Sequence, residues 1–413
     1  MKRSLKLTVA VALAIGSTSV YATNGVNLIG TGAQSRGMGG VGIGMPWGAE
    51  SGLPNPALIS SVEATEVSFG GTFFMPNVKT DGGNTNPAFG GKEEKSEADM
   101  FVVPEVGFAM KATENFYWGI GMWGASGLGV DYRDATNNGT SQLVTNYQAL
   151  QLAVPLTGQF GGFSIGIAPV LHYGALDTQW NTSYDPGTGA PTSSVGAGVS
   201  QDLSFGANLG LAYQTGGFTF GAVYKSSIKM EYKGQPALNP AIVGGLGIEL
   251  EENRLDVPAE YGIGFSYAFL NNHTFAIDAK TIMYGDTKGW EEFGWKNQNV
   301  VALGYQFATP VWAVRVGYNY GKAPIENLSV SDPTNGNPGR NYFNAVGFPA
   351  TVEQHLTVGG SYTFTKNMGV DLAFTYAPEK KTEYDSFDPA FNPVVVTTKH
   401  SQTAFTAGMN FKF

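Results

Sequence analysis

The stretch Phe405-Thr406-Ala407-Gly408-Met409-Asn410-Phe411-Lys412-Phe413 alternates without a fault: Phe405, Ala407, Met409, Phe411 and Phe413 share one face, and Thr406, Gly408, Asn410 and Lys412 the other. Successive side chains of a β-strand point to opposite faces, so these residues make a strand with one apolar and one small or polar side. An amphipathic strand ending in an aromatic residue is the expected closing strand of an outer-membrane β-barrel, with its apolar face turned to lipid.

Moving back from this strand, the same period recurs to about residue 64. Val67-Phe69-Gly71-Phe73 pairs with Val106-Phe108-Met110, and Phe116-Trp118-Ile120-Met122 with Leu150-Leu152-Val154-Leu156. The pattern continues at Phe163-Ile165-Ile167, Leu203 to Tyr213, Phe218 to Tyr224, Tyr261 to Phe269 and Phe275-Ile277-Ala279. It ends with Val301 to Phe307, Trp312 to Tyr318, Leu356 to Phe364, Val370 to Tyr376 and the terminal strand. That predicts an all-β fold, a transmembrane antiparallel barrel of about 14 strands, an even number as single-chain bacterial barrels require.

Connections alternate between tight and long. Glu114-Asn115, Gly161-Gly162, Gly216-Gly217, Asn271-Asn272, Thr309-Pro310 and Lys366-Asn367 read as periplasmic turns. The loops near 77–98, 127–143, 178–199, 233–253, 286–296, 322–350 and 380–398 are rich in Asn, Asp, Gly, Pro and Thr and are expected outside the cell.

Composition agrees. The 413 residues include 57 Gly, 13% are aromatic, and only 14% are charged, against roughly 25% charged residues in soluble domains. The net charge of -9 and the lack of basic patches exclude nucleic acid as a partner. With 0 Cys there is no disulfide framework and no thiol nucleophile. Met1-Lys2-Arg3 and Lys6, followed by apolar Leu7 to Ile15 and by Val20-Tyr21-Ala22, read as a secretory signal over residues 1–22, cleaved after Ala22.

Residues 23–60 contain ten or more glycines without alternation, ahead of a barrel spanning 61–413. In a lumen as wide as fourteen strands enclose, such a segment is expected to form a plug, or hatch. Within it, Gly37-Met38-Gly39-Gly40-Val41-Gly42 has the spacing of a dinucleotide-binding loop, but no β-α-β unit surrounds it, and close packing in a lumen explains the glycines better.

The four histidines, His172, His273, His355 and His400, have no metal-ligand spacing, so neither a metal nor a cofactor is expected. His172 shares a strand face with Ser164 and Gly166 and is expected to point into the lumen, where it could meet cargo. No G-x-S-x-G elbow occurs, and the chain does not read as an enzyme. The inward charges Lys225, Asp278, Lys280 and Arg315 read first as mutual counter-ions. Phe74 and Trp123 break the outward aromatic pattern and are expected to look inward.

Asn55-Pro56-Ala57-Leu58-Ile59 after a glycine-rich stretch, Val103-Pro104, Tyr224-Lys225-Ser226 with Glu231 to Gly234, Trp295-Lys296-Asn297, Ala323 to Asn327 and the final Asn410 to Phe413 together resemble the FadL-like outer-membrane transporters of long-chain fatty acids and other hydrophobic compounds, aromatic hydrocarbon importers included. The resemblance covers nearly the whole mature chain. It implies a monomeric barrel in the outer membrane of a Gram-negative bacterium that takes up apolar molecules by passive diffusion. Asn55, Pro56 and Ala57 would belong to the hatch or gate. Gly124, Ala125, Ser126 and Gly127 would form the strand kink that opens a lateral exit, since glycines tolerate a broken ladder.

The resemblance also places Lys296 as a head-group contact, with His172, Trp123 and Phe74 as further ligand-binding candidates. One departure concerns Val170-Leu171-His172-Tyr173-Gly174, which lacks the Arg expected to partner that lysine, so neutral aromatic or alkane hydrocarbons form the alternative cargo. A reading from a different class is a non-transporting adhesin or structural surface barrel. The expected partners are hydrophobic cargo, outer-membrane lipid with lipopolysaccharide, and the barrel assembly machinery.

Overall fold

Every backbone N–H and C=O that meets hydrocarbon must be paired within the protein, which leaves a strand-built wall one solution, a closed ring. The computed structural model shows that ring, and describes residues 23–413 apart from 84–91, 136–137, 186–187, 245–247, 332–335 and 388–391. The signal segment 1–22 lies outside the described residues.

Fourteen staves form the wall: β1 (Thr65–Thr80), β2 (Phe101–Lys111), β3 (Phe116–Asp131), β4 (in two pieces, Val144–Ala153 and Leu156–Phe160), β5 (Phe163–Tyr184), β6 (Ser200–Thr215) and β7 (Phe218–Lys225), then β8 (Glu260–Phe269), β9 (His273–Ile282), β10 (Gln298–Ala308), β11 (Trp312–Gly321), β12 (Gln354–Thr365), β13 (Met368–Phe387) and β14 (Pro393–Lys412). Neighbours in sequence are antiparallel neighbours in space, and β14 closes on β1 from Lys412 opposite Glu66 to Thr398 opposite Thr80. Phe405 lies opposite Phe73, and Phe69 stacks on Phe411 at 5.7 Å, so the terminal strand is held by its apolar face as well as its ladder.

Alternation does what the pattern predicts. Phe73, Ile167, Phe205, Ile263, Val314 and Leu356 are exposed on the outer face, while Thr72, Ala168, Ser266, Arg315 and Thr357 are buried within. In water such an outer surface would be an aggregation liability; against lipid it is the favoured solvent contact.

Two expectations need correction. The staves run further outward than the loop boundaries drawn from sequence: β1 reaches Thr80, β3 Asp131, β5 Tyr184 and β13 Phe387. Polar residues continue a strand readily when both neighbours supply ladder partners. The fourth strand is not continuous from Leu150 to Leu156 but breaks at Val154–Pro155, since proline has no N–H to donate.

Residues 23–64 thread the ring. They carry the helix α1 (Gly32–Gly37) and two 3-10 turns, Gly48–Gly52 and Pro56–Ser61. Outside the membrane-level wall, loop segments fold back into the outer half of the lumen. The helix α2 (Asn337–Val346) brings Phe343 against Phe293 at 4.9 Å, and Trp290 meets Trp295 at 4.4 Å. Tyr284, Trp290, Trp295, Phe343 and Phe348 are all buried there, a core of aromatic side chains capping the barrel.

Candidate functional site

The plug is bound to the wall on several sides. Asn55 caps the turn Pro56–Ser61 by accepting from Ala57 N at 3.1 Å, while its amide donates to Ile43 O at 2.8 Å and to Leu211 O of β6 at 3.1 Å. Thr157 of β4 donates to Pro56 O at 2.7 Å. Asn55, Pro56 and Ala57 thus lie fully within the lumen, pressed on Gly166 and Gly210, where an added methyl would come within 2.5 Å of Ala57 N and 2.1 Å of Asn55 Oδ1.

Wall glycines also receive the glycine-rich stretch. A methyl on Gly264 would lie 2.3 Å from Gly44 N, and one on Gly317 2.1 Å from Gly39 N. Backbone therefore packs directly on backbone, which accounts for the motif at Gly37 to Gly42 without any nucleotide.

Charge completes the anchoring. Arg36 on α1 pairs with Glu105 of β2 and donates to Thr72 of β1, while Glu105 accepts from Gly32 N at 3.1 Å. Gln34 donates to Asp371 of β13 at 3.0 Å. Asp278 of β9 accepts three plug amides, from Gly42 and Ile43 at 2.7 Å each and from Gly44 at 3.1 Å. Besides its electrostatic coupling to Lys280, the carboxylate fills a nest of backbone donors. Lys225 and Lys280 instead share Glu260, at 2.9 and 3.0 Å.

The wall itself is incomplete at one place. The β2–β3 ladder runs from Lys111 opposite Tyr117 to Glu105 opposite Trp123; beyond that point no β2–β3 pair is formed among the described residues, although β3 continues to Asp131. On the other side of β3 the register shifts between Gly124 and Ser126, a bulge at Ala125. Past the bulge the alternation is lost, with Ser126 to Val130 buried without a break. The plug supplies what β2 withholds: Asn27 pairs with Ser126, Gly127 N donates to Val26 O at 3.0 Å, and Ser126 Oγ donates to Asn27 Oδ1 at 2.8 Å.

Beside this patched opening lies a partly open chamber with a cavity volume of about 90 Å³. Gly124, Ala125 and Ser126 border it on one side, plug residues Asn27 to Thr31 on another, and Lys225, Glu260, Asp278 and Lys280 on the far wall.

The remaining candidates are dispersed. Trp123 is buried at the end of the β2–β3 ladder with its ring over Gly121 and Gly52. His172 faces inward, fully buried, and its Nδ1 meets Gln151 Nε2 at 3.1 Å; Gln151 borders the chamber. Phe74 is buried with Phe101 and Ala404 in a separate cluster. Lys296 stands exposed on a loop, its backbone N–H donating to Pro324 O at 2.8 Å, and is not brought to the chamber. Sequence reading missed Asp278 as a plug anchor and Glu260 as the shared partner of two lysines; the inward alternation of β8 and β9 was the available signal. Among the described residues no cluster of acids and histidines suited to a metal ion occurs.

The sequence profile of the family described as "Outer membrane protein transport protein (OMPP1/FadL/TodX)" matches residues 13–413. A long-chain fatty acid transport protein of Salmonella typhi is 24% identical over 424 residues, covering 90% of this chain and 91% of its own. A 47 kDa outer membrane protein of Pasteurella multocida (strain Pm70) is 24% identical over 402 residues, covering 87% of each. Among solved structures, a Pseudomonas aeruginosa FadL homologue superposes with a TM-score of 0.72 at 15% identity, over 94% of this chain and 100% of that one. The P. putida toluene transporter TodX gives 0.64 at 16% identity, over 93% and 99%. At those identities the structural likeness establishes the fold.

Proposed function

The chain belongs to the outer membrane protein transport family OMPP1/FadL/TodX, and from that premise we propose that it is a passive channel for long-chain fatty acids or similar hydrophobic compounds, closed by its plug and emptied sideways through the wall at Ala125. The protein is an outer-membrane β-barrel of the Gram-negative envelope, and its family consists of transport channels, not enzymes.

The observation that carries the lateral route is the junction at Val26–Asn27 and Ser126–Gly127. A wall strand has left its neighbour, and the vacant edge is paired by a segment that is not part of the wall. Besides its bonds to β3, this patch is held by Val26 N donating to Tyr284 Oη at 2.9 Å and by the pairing of Asn24 with Asn27; moving residues 26–27 breaks these bonds and exposes an opening from the chamber toward lipid. The plug anchors at Asp278, Asp371 and Glu105 meanwhile keep the rest of the lumen filled.

The driving force needs no energy source. Lipopolysaccharide slows apolar solutes that a simple bilayer would admit, and each CH2 moved from water to an apolar site gains about 0.8 kcal/mol. Lateral delivery lets the cargo go from chamber to lipid without re-entering water. The reading includes a mature chain beginning at Thr23, with residues 23–60 as the hatch, and a monomer that depends on the barrel assembly machinery for insertion and has outer-membrane lipid and lipopolysaccharide around it.

The test is uptake of labelled long-chain fatty acid by cells lacking their own transporter, complemented with this chain or with its Asn55→Ala, Pro56→Ala form. Uptake with the intact chain and its loss or deregulation with the altered hatch is expected. A correctly assembled barrel that admits neither fatty acid nor toluene would overturn the reading.

A further inference from the structure

Four lysines stand in one row across the outer end of the wall, each directly opposite the next. Lys381 of β13 faces Lys399 of β14, Lys399 faces Lys79 of β1, and Lys79 faces Lys95 on the short strand Glu94–Lys95. Strand neighbours lie about 4.8 Å apart, so the row spans roughly 15 Å. Like charges placed opposite one another weaken a sheet, yet here they repeat across four strands and across the seam where β14 closes the ring on β1.

The row faces away from the lumen. Val78, Thr80, Thr398 and His400 are buried on the inner face, and alternation turns Lys79 and Lys399 outward between them. On the same outer face, nearer the middle of the wall, come Phe73 and Met75 of β1, Phe405 of β14, and Phe374 and Tyr376 of β13, all exposed. Lys79 lies beyond Met75 by about 13 Å along the strand, at about 3.3 Å per residue. The lysines therefore stand just past the apolar band, at the level of lipid head groups.

Their carboxylate partners hold them loosely. Glu93 pairs with Lys399 and lies 3.7 Å from Lys79, Asp99 is 2.6 Å from Lys95, and Glu383 is 2.6 Å from Lys381. Asp81 and Glu379 act on Lys399, and Glu97 on Lys95, through space. The paired lysine side chains are 33% to 55% exposed and their carboxylates 38% to 57%. Ion pairs so exposed contribute little, and an ammonium with three donors can serve a second anion beside its carboxylate.

We propose that Lys381, Lys399, Lys79 and Lys95 bind the phosphates of lipid A, the membrane anchor of lipopolysaccharide, with its acyl chains against Phe73, Met75 and Phe405. A basic row at head-group level above an apolar wall fits a phosphorylated glycolipid in both of its parts. The phosphates offset the repulsion between Lys399 and Lys79, so the bound lipid clamps the outer end of the seam. This site is on the outside of the barrel and does not depend on which cargo passes through it.

The test is native mass spectrometry of the purified full-length barrel with added lipid A, carrying both phosphates or stripped of them. The native barrel should hold the phosphorylated lipid more tightly. Lys79→Gln and Lys399→Gln should each weaken that binding about fivefold, as expected for one basic residue near an anionic lipid surface, and leave the stripped lipid unchanged. Lys79→Arg with Lys399→Arg should retain it. Glu93→Gln, which frees both seam lysines, should strengthen it, an outcome that a merely structural role for the row does not produce. Lys322→Gln, at an exposed lysine past the end of β11, serves as control and should change it less than about twofold. Equal binding of the two lipids, undiminished binding when the seam lysines are replaced, or weaker binding by a folded Glu93→Gln barrel would overturn the site. Binding that disappears in a chelator would also overturn it, since the phosphate would then be held by a divalent cation on the carboxylates. Fatty acid uptake is measured separately, and failure of the lipid site leaves the transport reading standing.

Discussion

From β5 to β12 each stave pairs with the next without a register shift, whereas the sector from β2 to β4 is interrupted three times within a few residues. The β2–β3 ladder stops at Glu105 and Trp123, β3 bulges at Ala125, and β4 breaks at Pro155. Both regions are built from alternating strands with glycine on the inner face. Under the proposed lateral route, the difference teaches where a door would lie: in the sector whose ladder is incomplete and whose vacancy is filled by a segment outside the wall, and not where the ladder is intact.

The strongest way to break the comparison is to make the interrupted sector permanent. Asn27→Cys with Ser126→Cys joins plug and bulge at directly paired positions, in a chain that has 0 other cysteines. Oxidation should reduce fatty acid uptake to the level of cells without the protein, and a reductant should restore it; unchanged uptake by the oxidised pair would place the exit elsewhere.

Removing an anchor should have the next largest effect. Asp278→Ala leaves three plug amides without their acceptor, costing the seated plug about 3 kcal/mol at typical values for buried donors. Faster hydrogen exchange at residues 42–44 and entry of small hydrophilic dyes are expected. Protected amides and an impermeant barrel would show that the other anchors suffice.

A milder change sharpens the contact between plug and intact wall. Gly317→Ala puts a methyl 2.1 Å from Gly39 N, an overpacking worth about 1–3 kcal/mol. A small rise in dye entry with the barrel's own melting unchanged is the expected result. Smallest of all should be Phe205→Ala on the lipid face of β6, where the side chain is 77% exposed; uptake should match the native chain, and a clear loss would implicate the intact wall in the route.

Much of this was legible from residue order. The terminal alternation, the fourteen staves and the tight turns follow from a period of two, a local property that survives in any one strand. Asn55-Pro56-Ala57 and Gly124 to Gly127 were singled out through the resemblance to the transporter family; the structure shows the first as a capped turn in the lumen and puts a bulge at Ala125 in the second. Lys296 could not be placed, since its loop folds so that the side chain ends in solvent while the chamber draws its cations from β7 and β9.

By itself, then, the sequence determined that this chain is a lipid-facing barrel with a glycine-rich segment to accommodate, since alternation and turn chemistry act between near neighbours. Tertiary structure alone decided that Asp278 serves the plug, that Glu260 is shared by two lysines, and that Asn27 completes the wall at Ser126. Those contacts join residues 20 to 236 positions apart; the register of three adjacent staves brings Lys225, Glu260 and Lys280 together, and the threading of residues 23–64 through the ring decides which inward-facing groups that segment meets.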